Sequence, residues 1–509
     1  MAEYLLGIDN GSTVSKAAIF DLEGREIQVA GRKSEMQYPH PGWTERNMYG
    51  LWAGTADAIR EAISASRIKP GEIVGVGVSG HGNGLYLLDR HMNPLRPGIG
   101  SMDTRAADVL AGWDKKELHS QVFPRTLQSF WPAQPNALLA WLKQNEPDAY
   151  ARIGAVLLCK DYIKYCLTGE ITTDFTDISA TSLLDQRTRR YSPELLERYG
   201  ISEVFRALPT PVHSFEVAGR VTPRAAGETG LLAGTPVVGG LFDVDASALG
   251  AGVVDPGQIC IVAGTWSINE IVTADPIVDP TLFMTTLYTV PGLWLTVEAS
   301  ATSATNLEWF ITQFCAEEQA EARARGISVY EVSNEKVASL PPGSTDIIFH
   351  PFLFGSNVQP TARAGFYGIA GWHTKAHLLR ALYEGVVYGH LNHIEKLRAA
   401  GARIDRARLT GGGARSQVWV QIFADALQLP MEVPAGTEIG ARGVALCAGI
   451  GAGVYKDHAE AVARAVRIER RQEPNAAATP HYLARYAEYR RLLEAMREPW
   501  DHLYTLAGL

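Results

Sequence analysis

Short apolar runs that stop at polar, glycine-rich turns recur along this chain. Residues 4–8, 73–78, 235–238 and 258–262 have the length and composition of buried strands. Residues 15–21 form a returning strand after the first of these turns. Because loops at strand ends commonly carry binding and catalytic groups, we expect the chemistry of this protein in the turns.

Helical spacing fills most of the sequence between these strands. Residues 48–64 place Leu51, Trp52, Ile59 and Ile63 on one face, as an amphipathic helix does. Further helices are predicted from residue 102 onward, at 108–206 (mainly helical, with a polar, threonine-rich interruption at 171–182), and at 303–314, 377–387, 418–427 and 440–453. The predicted strands are therefore separated by predicted helices along much of the chain.

The length of the chain, 509 residues, exceeds the size at which one hydrophobic core keeps growing, so two domains of about 250 residues are expected. The second half opens as the first does, with a strand, a small-residue turn and another extended run at residues 258–272. This suggests two related domains facing each other. A cleft between them could hold the phosphates of a nucleotide, with Thr13 on one wall and Thr265 on the other.

Charge and cysteine content exclude several classes of protein. The net charge is −8, with 47 basic and 55 acidic residues, which argues against nucleic acid as the main partner. There is no run of 18 apolar residues and no basic leader before an apolar stretch, so neither membrane spanning nor secretion is expected. The five cysteines are odd in number and lack CxxC spacing, which indicates neither disulfides nor zinc and favours the reducing cytoplasm.

Two glycine-rich turns are candidates for phosphate or nucleotide binding. Asp9 precedes the Gly11-Ser12-Thr13 turn, whose N–H groups could contact phosphate while the carboxylate interacts with hydrated Mg²⁺. The alternative is a plain Asn-Gly hairpin turn. Gly411-Gly412-Gly413, between a strand and a helix, would allow a flat or phosphorylated ligand to approach closely. Its alternative is a flexible link.

Two other turns are candidates for the substrate and the catalytic base. His81-Gly82-Asn83 ends a strand with polar side chains between glycines, which suits a small hydroxylated ligand, or else His81 is an ordinary loop histidine. Asp243 follows the strand at 235–238 and two glycines near the middle of the chain, and we predict that it is a catalytic base. The alternative is that Asp243 merely caps the following helix.

Along nearly its whole length the chain resembles the FGGY carbohydrate kinases, which share the two-domain fold of actin, Hsp70 chaperones and hexokinase. Residues 7–12 resemble the first phosphate motif of that family, 264–265 the second, and 411–416 the adenosine motif. The most specific match covers residues 364–369, 377–378 and 381–384. The family's first signature is recognisable around Trp141-Leu142, although Leu138 stands where a lysine is usual, and in the second signature Leu382 is slightly off the pattern.

The resemblance implies a role for each matching residue. Asp243 resembles the catalytic base, and Asp9 and Asp243 the residues near the metal. Thr13 and Lys16 resemble neighbours of the γ-phosphate. The nucleotide contacts implied are Gly11, Ser12, Thr13, Lys16, Gly264, Thr265, Gly411, Gly412, Gly413 and Ser416. The substrate contacts implied are His81, Gly82, Asn83, Asp243 and Val244.

The resemblance also implies the fold, the domains and the reaction. It predicts an α/β fold of two actin/hexokinase-like (ribonuclease H-like) domains with an ATP cleft between them. Residues 1–248 would hold the sugar, the first phosphate motif and the catalytic aspartate, and 249–509 the second phosphate motif and the adenosine. The expected activity is ATP- and Mg²⁺-dependent phosphorylation of a terminal hydroxyl of a pentulose, L-xylulose or xylulose. The expected partner is a small sugar or polyol, and a homodimer is one assembly to expect.

Alternative substrates and functions remain open on the sequence. Glycerol is disfavoured, because glycerol kinases carry Arg-Glu where this chain has Gly82-Asn83. Erythritol kinases are similar around Cys159-Lys160-Asp161, so a polyol is an alternative acceptor. An actin- or chaperone-like ATPase would share the phosphate turns, but a chaperone would need a long peptide-binding region, and only a short helical tail follows residue 455. A sugar-binding relative without catalysis is disfavoured by Asp9 and Asp243.

Overall fold

A computed structural model describes residues 3–506 of the chain. The strands are β1 (Tyr4–Asn10), β2 (Val14–Asp21), β3 (Glu26–Lys33), β4 (Glu45–Arg46), β5 (Ile73–Gly80), β6 (Tyr86–Asp89), β7 (Gly98–Ile99), β8 (Ile153–Leu157), β9 (Thr172–Asp174), β10 (Leu184–Asp185), β11 (Arg190–Tyr191), β12 (Thr210–Val212), β13 (Val217–Arg220), β14 (Pro236–Val238), β15 (Leu241–Phe242), β16 (Gln258–Ala263), β17 (Ser267–Thr273), β18 (Met284–Leu287), β19 (Trp294–Ser300), β20 (Ile348–His350), β21 (Gly365–Tyr367), β22 (Arg406–Thr410), β23 (Met431–Pro434) and β24 (Ile468–Gln472).

Helices connect and cover these strands. The α-helices are α1 (Met48–Ser66), α2 (Ala107–Asp114), α3 (Leu118–Thr126), α4 (Pro135–Asn145), α5 (Pro147–Tyr150), α6 (Cys159–Thr168), α7 (Phe175–Ser179), α8 (Pro193–Arg198), α9 (Pro223–Thr229), α10 (Asp243–Gly250), α11 (Thr305–Phe314), α12 (Ala316–Arg325), α13 (Val329–Ala338), α14 (Lys375–Ala399), α15 (Gln417–Leu427), α16 (Ile439–Gly451), α17 (His458–Ala465), α18 (Thr479–Ala495) and α19 (Arg497–Leu506). Short 3₁₀ helices occupy Pro70–Glu72, Ser202–Ala207 and Gly412–Arg415.

The chain forms two compact units, each made of three segments. Unit 1 comprises the described residues of Met1–Pro256, Val272–Thr296 and Gly436–Arg467. Unit 2 comprises those of Gly257–Ile271, Val297–Ala435 and Ile468–Leu509. The sequence of each unit is therefore discontinuous, and the third segment of unit 1 comes from the last quarter of the chain.

The main sheet of unit 1 has the strand order β13-β14-β5-β1-β2-β3, with β15 paired to β5. Strand β1 is antiparallel to β2 and parallel to β5, a register that places Asp9 beside Lys16 on one side and Ser79 on the other. The carboxyl ends of β1, β5 and β15 therefore lie at the same edge of the sheet. The turns after β1 and β5, and Asp243 directly after β15, were all predicted to carry chemistry.

Helix α16 packs closely against one face of this sheet because β1 and β5 present glycines to it. A Cβ atom on Gly7 would stand 1.9 Å from the carbonyl oxygen of Ala441, and one on Gly77 would stand 2.2 Å from that of Val444. Real side chains do not approach backbone this closely. The buried residues Leu5, Ala18, Val238, Leu241, Ala246, Leu249, Ala441, Val444, Ala445 and Ala448 join this helix, α10 and the sheet in one apolar core.

Unit 2 carries the second phosphate-type turn and the Gly-Gly-Gly turn. Its sheet includes the neighbouring strands β17-β16-β22-β23-β24, in which β16 is antiparallel to β17 and parallel to β22. The long helix α14 packs on α15, with the rings of Tyr383 and Trp419 stacked at 4.3 Å between centroids. The turns after β16 and β22 lie side by side because those strands are adjacent and parallel.

Most predicted elements are confirmed within a few residues, but the helix predicted at 377–387 extends to Ala399 as α14. The stretch 108–206 is mainly helical, as predicted, with helices α2 to α8, but it also contains the unpredicted strand β8, which pairs antiparallel with β6. The helix expected from residue 102 begins only at Ala107. The segment before it is held in a loop by the carboxylate of Asp103, which accepts hydrogen bonds from the N–H of Thr44 (2.7 Å) and from the backbone and side-chain N–H groups of Arg105 (2.8–2.9 Å).

All five cysteines are free. Within residues 3–506, none of the helices combines the length and apolarity that crossing a bilayer requires.

Candidate functional site

Asp243 is the first residue of α10 and follows β15 directly. Gly240, at φ +86°, turns the chain into β15, where a Cβ atom would stand 2.3 Å from the carbonyl oxygen of Val78. The helix cap position belongs to Phe242, so Asp243 is not the N-cap residue of the alternative interpretation. Its side chain is only partly exposed.

The environment of Asp243 favours a protonatable carboxylate near neutral pH. Burial, and then the negative charge of Asp9, raise the pKa of Asp243 to about 7, against the smaller opposing effect of hydrogen bonds from the N–H groups of Val244, Gly82 and Asp243 itself. A carboxylate with a pKa near the working pH suits general base catalysis. Val244, next in the helix, is buried and orients this carboxylate through its backbone.

Asp9 lies near the end of β1, and its negative charge contributes to the raised pKa of Asp243. Ser79 Oγ donates to Asp9 Oδ1 over 3.2 Å, and burial raises the pKa of Asp9 while the nearby Lys16 opposes that rise. Lys16 Nζ is itself paired with both oxygens of Glu438, at 2.9 and 3.1 Å. Gly440, in the first turn of α16, leaves room beside Asp9, because a Cβ atom there would stand 3.2 Å from Oδ2.

The first phosphate-type turn runs from Gly11 to Thr13. The N–H of Gly11 donates to the carbonyl of Val14 over 3.1 Å, which closes the turn. Arg46 Nη2 donates to the carbonyl oxygens of Gly11 (3.2 Å) and Ser12, and Thr13 is exposed. The turn is thus fixed through its carbonyl groups.

The turn after β5, residues 81–83, is buried and polar; we call it the acceptor turn. His81 Nε2 lies 2.9 Å from the hydroxyl of Tyr86, and burial, followed by the charge of Arg46, lowers the pKa of His81 to about 3, so the ring is neutral. Gly82 has no space for a side chain, since a Cβ atom would stand 2.1 Å from the ring of Phe242. Asn83 has φ +57°, and its Oδ1 is buried without a hydrogen-bond partner among the described residues.

In unit 2 the two predicted nucleotide turns lie against each other. The carbonyl of Gly264 accepts the N–H of Ala304 at 2.8 Å, and that of Thr265 accepts the N–H of Ser303 at 3.1 Å. Gly411, at φ +83°, packs closely on the turn that follows β16, and a Cβ atom there would stand 2.7 Å from the carbonyl oxygen of Ala263. The next two glycines, Gly412 and Gly413, begin the 3₁₀ helix Gly412–Arg415.

Ser416, the last predicted nucleotide residue, caps α15. Its hydroxyl accepts the N–H of Trp419 at 3.2 Å and donates to Asn334 Oδ1 at 2.6 Å. This side chain is buried and already makes two hydrogen bonds, which indicates a role in holding the turn.

The predicted site residues form two groups. The base, the residues near the metal, the first phosphate turn and the acceptor turn belong to unit 1, and the remaining nucleotide residues belong to unit 2.

Sequence reasoning missed a buried ion cluster in unit 1, formed by Lys160, Asp161, Lys164, Asp174, Asp177 and Asp245, each at most 1% exposed. Lys160 Nζ lies 2.6 Å from Asp161, 2.9 Å from Asp174 and 3.4 Å from Asp177. Lys164 Nζ contacts Asp161 at 3.2 Å. The polar, threonine-rich interruption at 171–182 was the signal for this cluster, because buried carboxylates need such hydroxyl and backbone donors.

The ion cluster has more carboxylates than ammonium groups. Within the described residues, Asp245 makes no hydrogen bond through either carboxylate oxygen. Burial, reinforced by neighbouring carboxylates, raises the pKa of both Asp177 and Asp245 well above the ordinary range. With two lysines against four aspartates, the cluster favours the protonated form of these two acids.

Comparison with known proteins matches both halves of the chain to one family. Residues 4–250 match the N-terminal domain of the FGGY family of carbohydrate kinases, and residues 259–452 match its C-terminal domain. The L-xylulose/3-keto-L-gulonate kinase of Escherichia coli (strain K12) is 39% identical over 500 residues, 98% of each chain. A probable L-xylulose kinase of Pasteurella multocida is 38% identical over 97% of this chain and 99% of its own.

Solved structures agree with these matches. A xylulose kinase from Rhodospirillum rubrum superposes with a TM-score of 0.88 at 28% identity, covering 98% of this chain and 100% of its own. A structure from Brucella ovis described as a xyloylose kinase superposes with a TM-score of 0.85 at 29% identity, covering 97% of this chain and all of its own. The two-domain α/β architecture predicted for this chain is that of these kinases.

Proposed function

This chain belongs to the FGGY family of carbohydrate kinases, and from that premise we propose that it phosphorylates a terminal hydroxyl of L-xylulose or a closely related ketose. As a member of the family it is a sugar kinase, with ATP as the phosphoryl donor and a small sugar as the acceptor. The observation that carries the proposal is the Asp243 carboxylate, with its pKa near 7, hydrogen-bonded to the backbone of the acceptor turn.

The proposed reaction transfers one phosphoryl group and one proton. The acceptor oxygen forms a bond to the γ-phosphorus as the bond from that phosphorus to the β–γ bridging oxygen breaks, releasing ADP. The hydroxyl proton passes to Asp243, which must be ionised to accept it. A bound nucleophile that had not lost its proton would attack poorly, so this step is where Asp243 contributes to the rate.

The acceptor turn provides groups that match a polyhydroxylated substrate. The neutral imidazole of His81 hydrogen-bonds to Tyr86 on one nitrogen, and its Nδ1 lies 3.3 Å from the carbonyl of Gly82. The Oδ1 atom of Asn83, which has no hydrogen-bond partner among the described residues, can accept a hydrogen bond from a sugar hydroxyl, and this would compensate for its burial. We propose that these residues, with Gly82 and Val244, bind the sugar.

The first phosphate turn and Asp9 fit a nucleotide with its magnesium ion. Mg²⁺ is typically held by one or two protein carboxylates together with water and phosphate oxygens, and the two interacting carboxylates of Asp9 and Asp243 provide that donor set. Within residues 3–506 there is no cluster of three His, Cys, Asp or Glu side chains suited to a metal. When bound, the ion would neutralise phosphate charge. Lys16 is placed by its ion pair with Glu438 near Asp9.

The remaining assignments complete the proposal. Residues 1–248 would serve the acceptor, the first phosphate motif and the base, and 249–509 the second phosphate motif and the adenosine. Nucleotide contacts are proposed for Gly11, Ser12, Thr13, Lys16, Gly264, Thr265, Gly411, Gly412, Gly413 and Ser416. The free thiols are consistent with action in the cytoplasm, and a homodimer, measurable by light scattering, is the proposed assembly.

The choice of L-xylulose is supported by the named activities of the relatives and tested by turnover. ADP release is measured with L-xylulose, D-xylulose, L-ribulose, erythritol and glycerol as acceptors. We expect the highest kcat/KM with L-xylulose. A higher value with erythritol would favour the polyol alternative, and ATP hydrolysis unaffected by every acceptor would favour an ATPase of the actin type.

A further inference from the structure

Thr176 is the second residue of α7, within the threonine-rich stretch 171–182, and it contacts the segment that leads into Asp243. Its side chain is fully buried. The hydroxyl of Thr176 accepts the backbone N–H of Phe242, the residue before Asp243, over 3.0 Å. The same hydroxyl donates to Asp174 Oδ2 over 2.6 Å. Because a hydroxyl has one proton, donation to the carboxylate leaves its lone pairs for the N–H of Phe242.

Asp174 is held in place by the buried ion cluster. Lys160 Nζ lies 2.9 Å from Asp174 Oδ1. Asp174 Oδ2 also accepts the N–H of Thr176 over 2.9 Å and the hydroxyl of Ser214 over 2.8 Å. These four side chains are at most 2% exposed. Since both carboxylate oxygens have partners, the orientation of Asp174 is fixed, and with it the direction in which the Thr176 hydroxyl donates.

The ion cluster also contacts the chain just before Phe242. Lys164 Nζ donates to the carbonyl of Gly239 over 2.9 Å. Strand β15, which ends at Phe242, has two residues and pairs with β5 but with no other strand among those that the structure describes. So short a ladder fixes the chain weakly. The hydrogen bond from Phe242 to Thr176 is therefore a constraint on this segment that the sheet does not provide.

Phe242 links this constraint to the base and to the acceptor turn. Its ring packs beside Gly82, where a Cβ atom would stand 2.1 Å from the ring. Asp243, the next residue, accepts the N–H of Gly82. A shift of Phe242 would therefore displace the carboxylate from this donor. Misplacement of a catalytic group by about 1 Å can lower a rate about 100-fold.

We propose that Thr176 is a positioning residue for phosphoryl transfer: its hydroxyl, oriented by the Asp174–Lys160 ion pair, fixes Phe242 and thereby the approach of the Asp243 carboxylate to the acceptor hydroxyl. This inference rests on the proposed function, in which Asp243 is the base. Valine at position 176 would have nearly the same shape and would keep the N–H that Asp174 accepts. It would leave the N–H of Phe242 without its acceptor, whereas serine would retain it.

The test measures ADP release from the full-length chain at saturating ATP, with the best acceptor of the panel. We expect Thr176→Val to lower kcat about 10- to 100-fold and to change KM for ATP less than about twofold, while Thr176→Ser recovers most of the rate. Thr229→Val is the matched control and should keep the wild-type kcat. Thr229 is equally buried, donates to the carbonyl of Ala225 over 2.7 Å and accepts the N–H of Leu231 over 3.2 Å. Thermal melting shows which variants fold, and Thr176→Ala replaces Thr176→Val if the latter does not.

A double variant separates positioning from a general loss of structure. If Thr176 acts through Asp243, adding Thr176→Val to Asp243→Asn should lower the residual kcat less than about threefold, since the group that it positions is already absent. An equal loss in both backgrounds would overturn the inference. So would a folded Thr176→Val variant with the wild-type kcat, or a loss that Thr176→Ser does not restore.

Failure of the proposed function gives a different result. Asp243→Asn with the wild-type kcat would reject the base, and a wild type that phosphorylates no acceptor of the panel would reject the proposed substrate class. In both cases the inference fails with its premise. A large loss in Asp243→Asn without a loss in Thr176→Val rejects the inference alone.

Discussion

Replacing Asp243 by asparagine removes the proposed base while keeping the size of the side chain. Loss of a general base typically lowers the rate about 10²- to 10⁴-fold, and we expect kcat of Asp243→Asn to fall in that range. Because the pKa of Asp243 is about 7, kcat/KM of the wild type should rise with pH and reach half its plateau near pH 7. The residual activity of the variant should lack this dependence.

The same substitution should stabilise the folded protein at alkaline pH. Raising the pKa from 3.8 to about 7 disfavours the ionised carboxylate by about 4 kcal/mol, an upper value because the side chain is partly hydrated. Since the folded pKa is above the unfolded one, wild-type stability is greatest below pH 4 and is lost as pH rises to about 7. The neutral amide escapes this loss, so Asp243→Asn should melt higher than the wild type at pH 8 and gain less at pH 5.

The assay is ADP release from pH 5 to 9 with saturating ATP, together with thermal melting at pH 5 and pH 8. Asp148→Asn is the matched control, because Asp148 is exposed and should leave both measurements unchanged. A kcat for Asp243→Asn within about threefold of the wild type would refute the base assignment. Equal melting temperatures for variant and wild type at pH 8 would instead show that the carboxylate is not destabilised by burial.

Two further substitutions test the surroundings of the base. Gly82→Ala places a Cβ atom 2.1 Å from the ring of Phe242. The KM for the sugar should therefore rise about tenfold or more, without a change in ATP affinity. The control is Gly112→Ala, which should leave both constants unchanged because no atom lies within 4 Å of the added Cβ. Lys160→Met leaves the ion cluster with uncompensated carboxylates, so denaturant titration should show a free energy of unfolding lower by about 3–5 kcal/mol. The control is Lys456→Met, at an exposed position, which should have almost no effect. Equal stabilities of the two variants would contradict the charge argument.

The turns were predictable because their signals are local. A strand is recognised from a few consecutive apolar residues, and glycine or a small polar residue marks its end, so the regions after β1, β5 and β15 could be identified without tertiary contacts. The pairing of the strands then brings these regions to one edge of the sheet, because β1 and β15 each run parallel to β5. The roles proposed for Asp9 and Asp243 remain predictions until they are tested.

Other features could not be predicted because they depend on contacts distant in sequence. Arg46 follows an ordinary loop, and nothing in its local sequence distinguishes a buried arginine from an exposed one. Strand β8 lies in a helical region and is specified by its pairing with β6. Lys160 and Asp245 are 85 residues apart, so a shared charge environment became visible only in three dimensions.

Helix α16 has a consequence for the synthesis of this protein. Its residues are translated after most of unit 2, although it covers the face of the sheet that β1 and β5 present through Gly7 and Gly77. Until the ribosome has passed residue 467, the part of unit 1 that is already synthesised has an exposed apolar surface. Such a surface binds chaperones or promotes aggregation. A fragment of residues 1–256 should therefore be insoluble, and co-expression of the segment 436–467 should recover it, whereas a soluble, cooperatively melting fragment would show that α16 is dispensable.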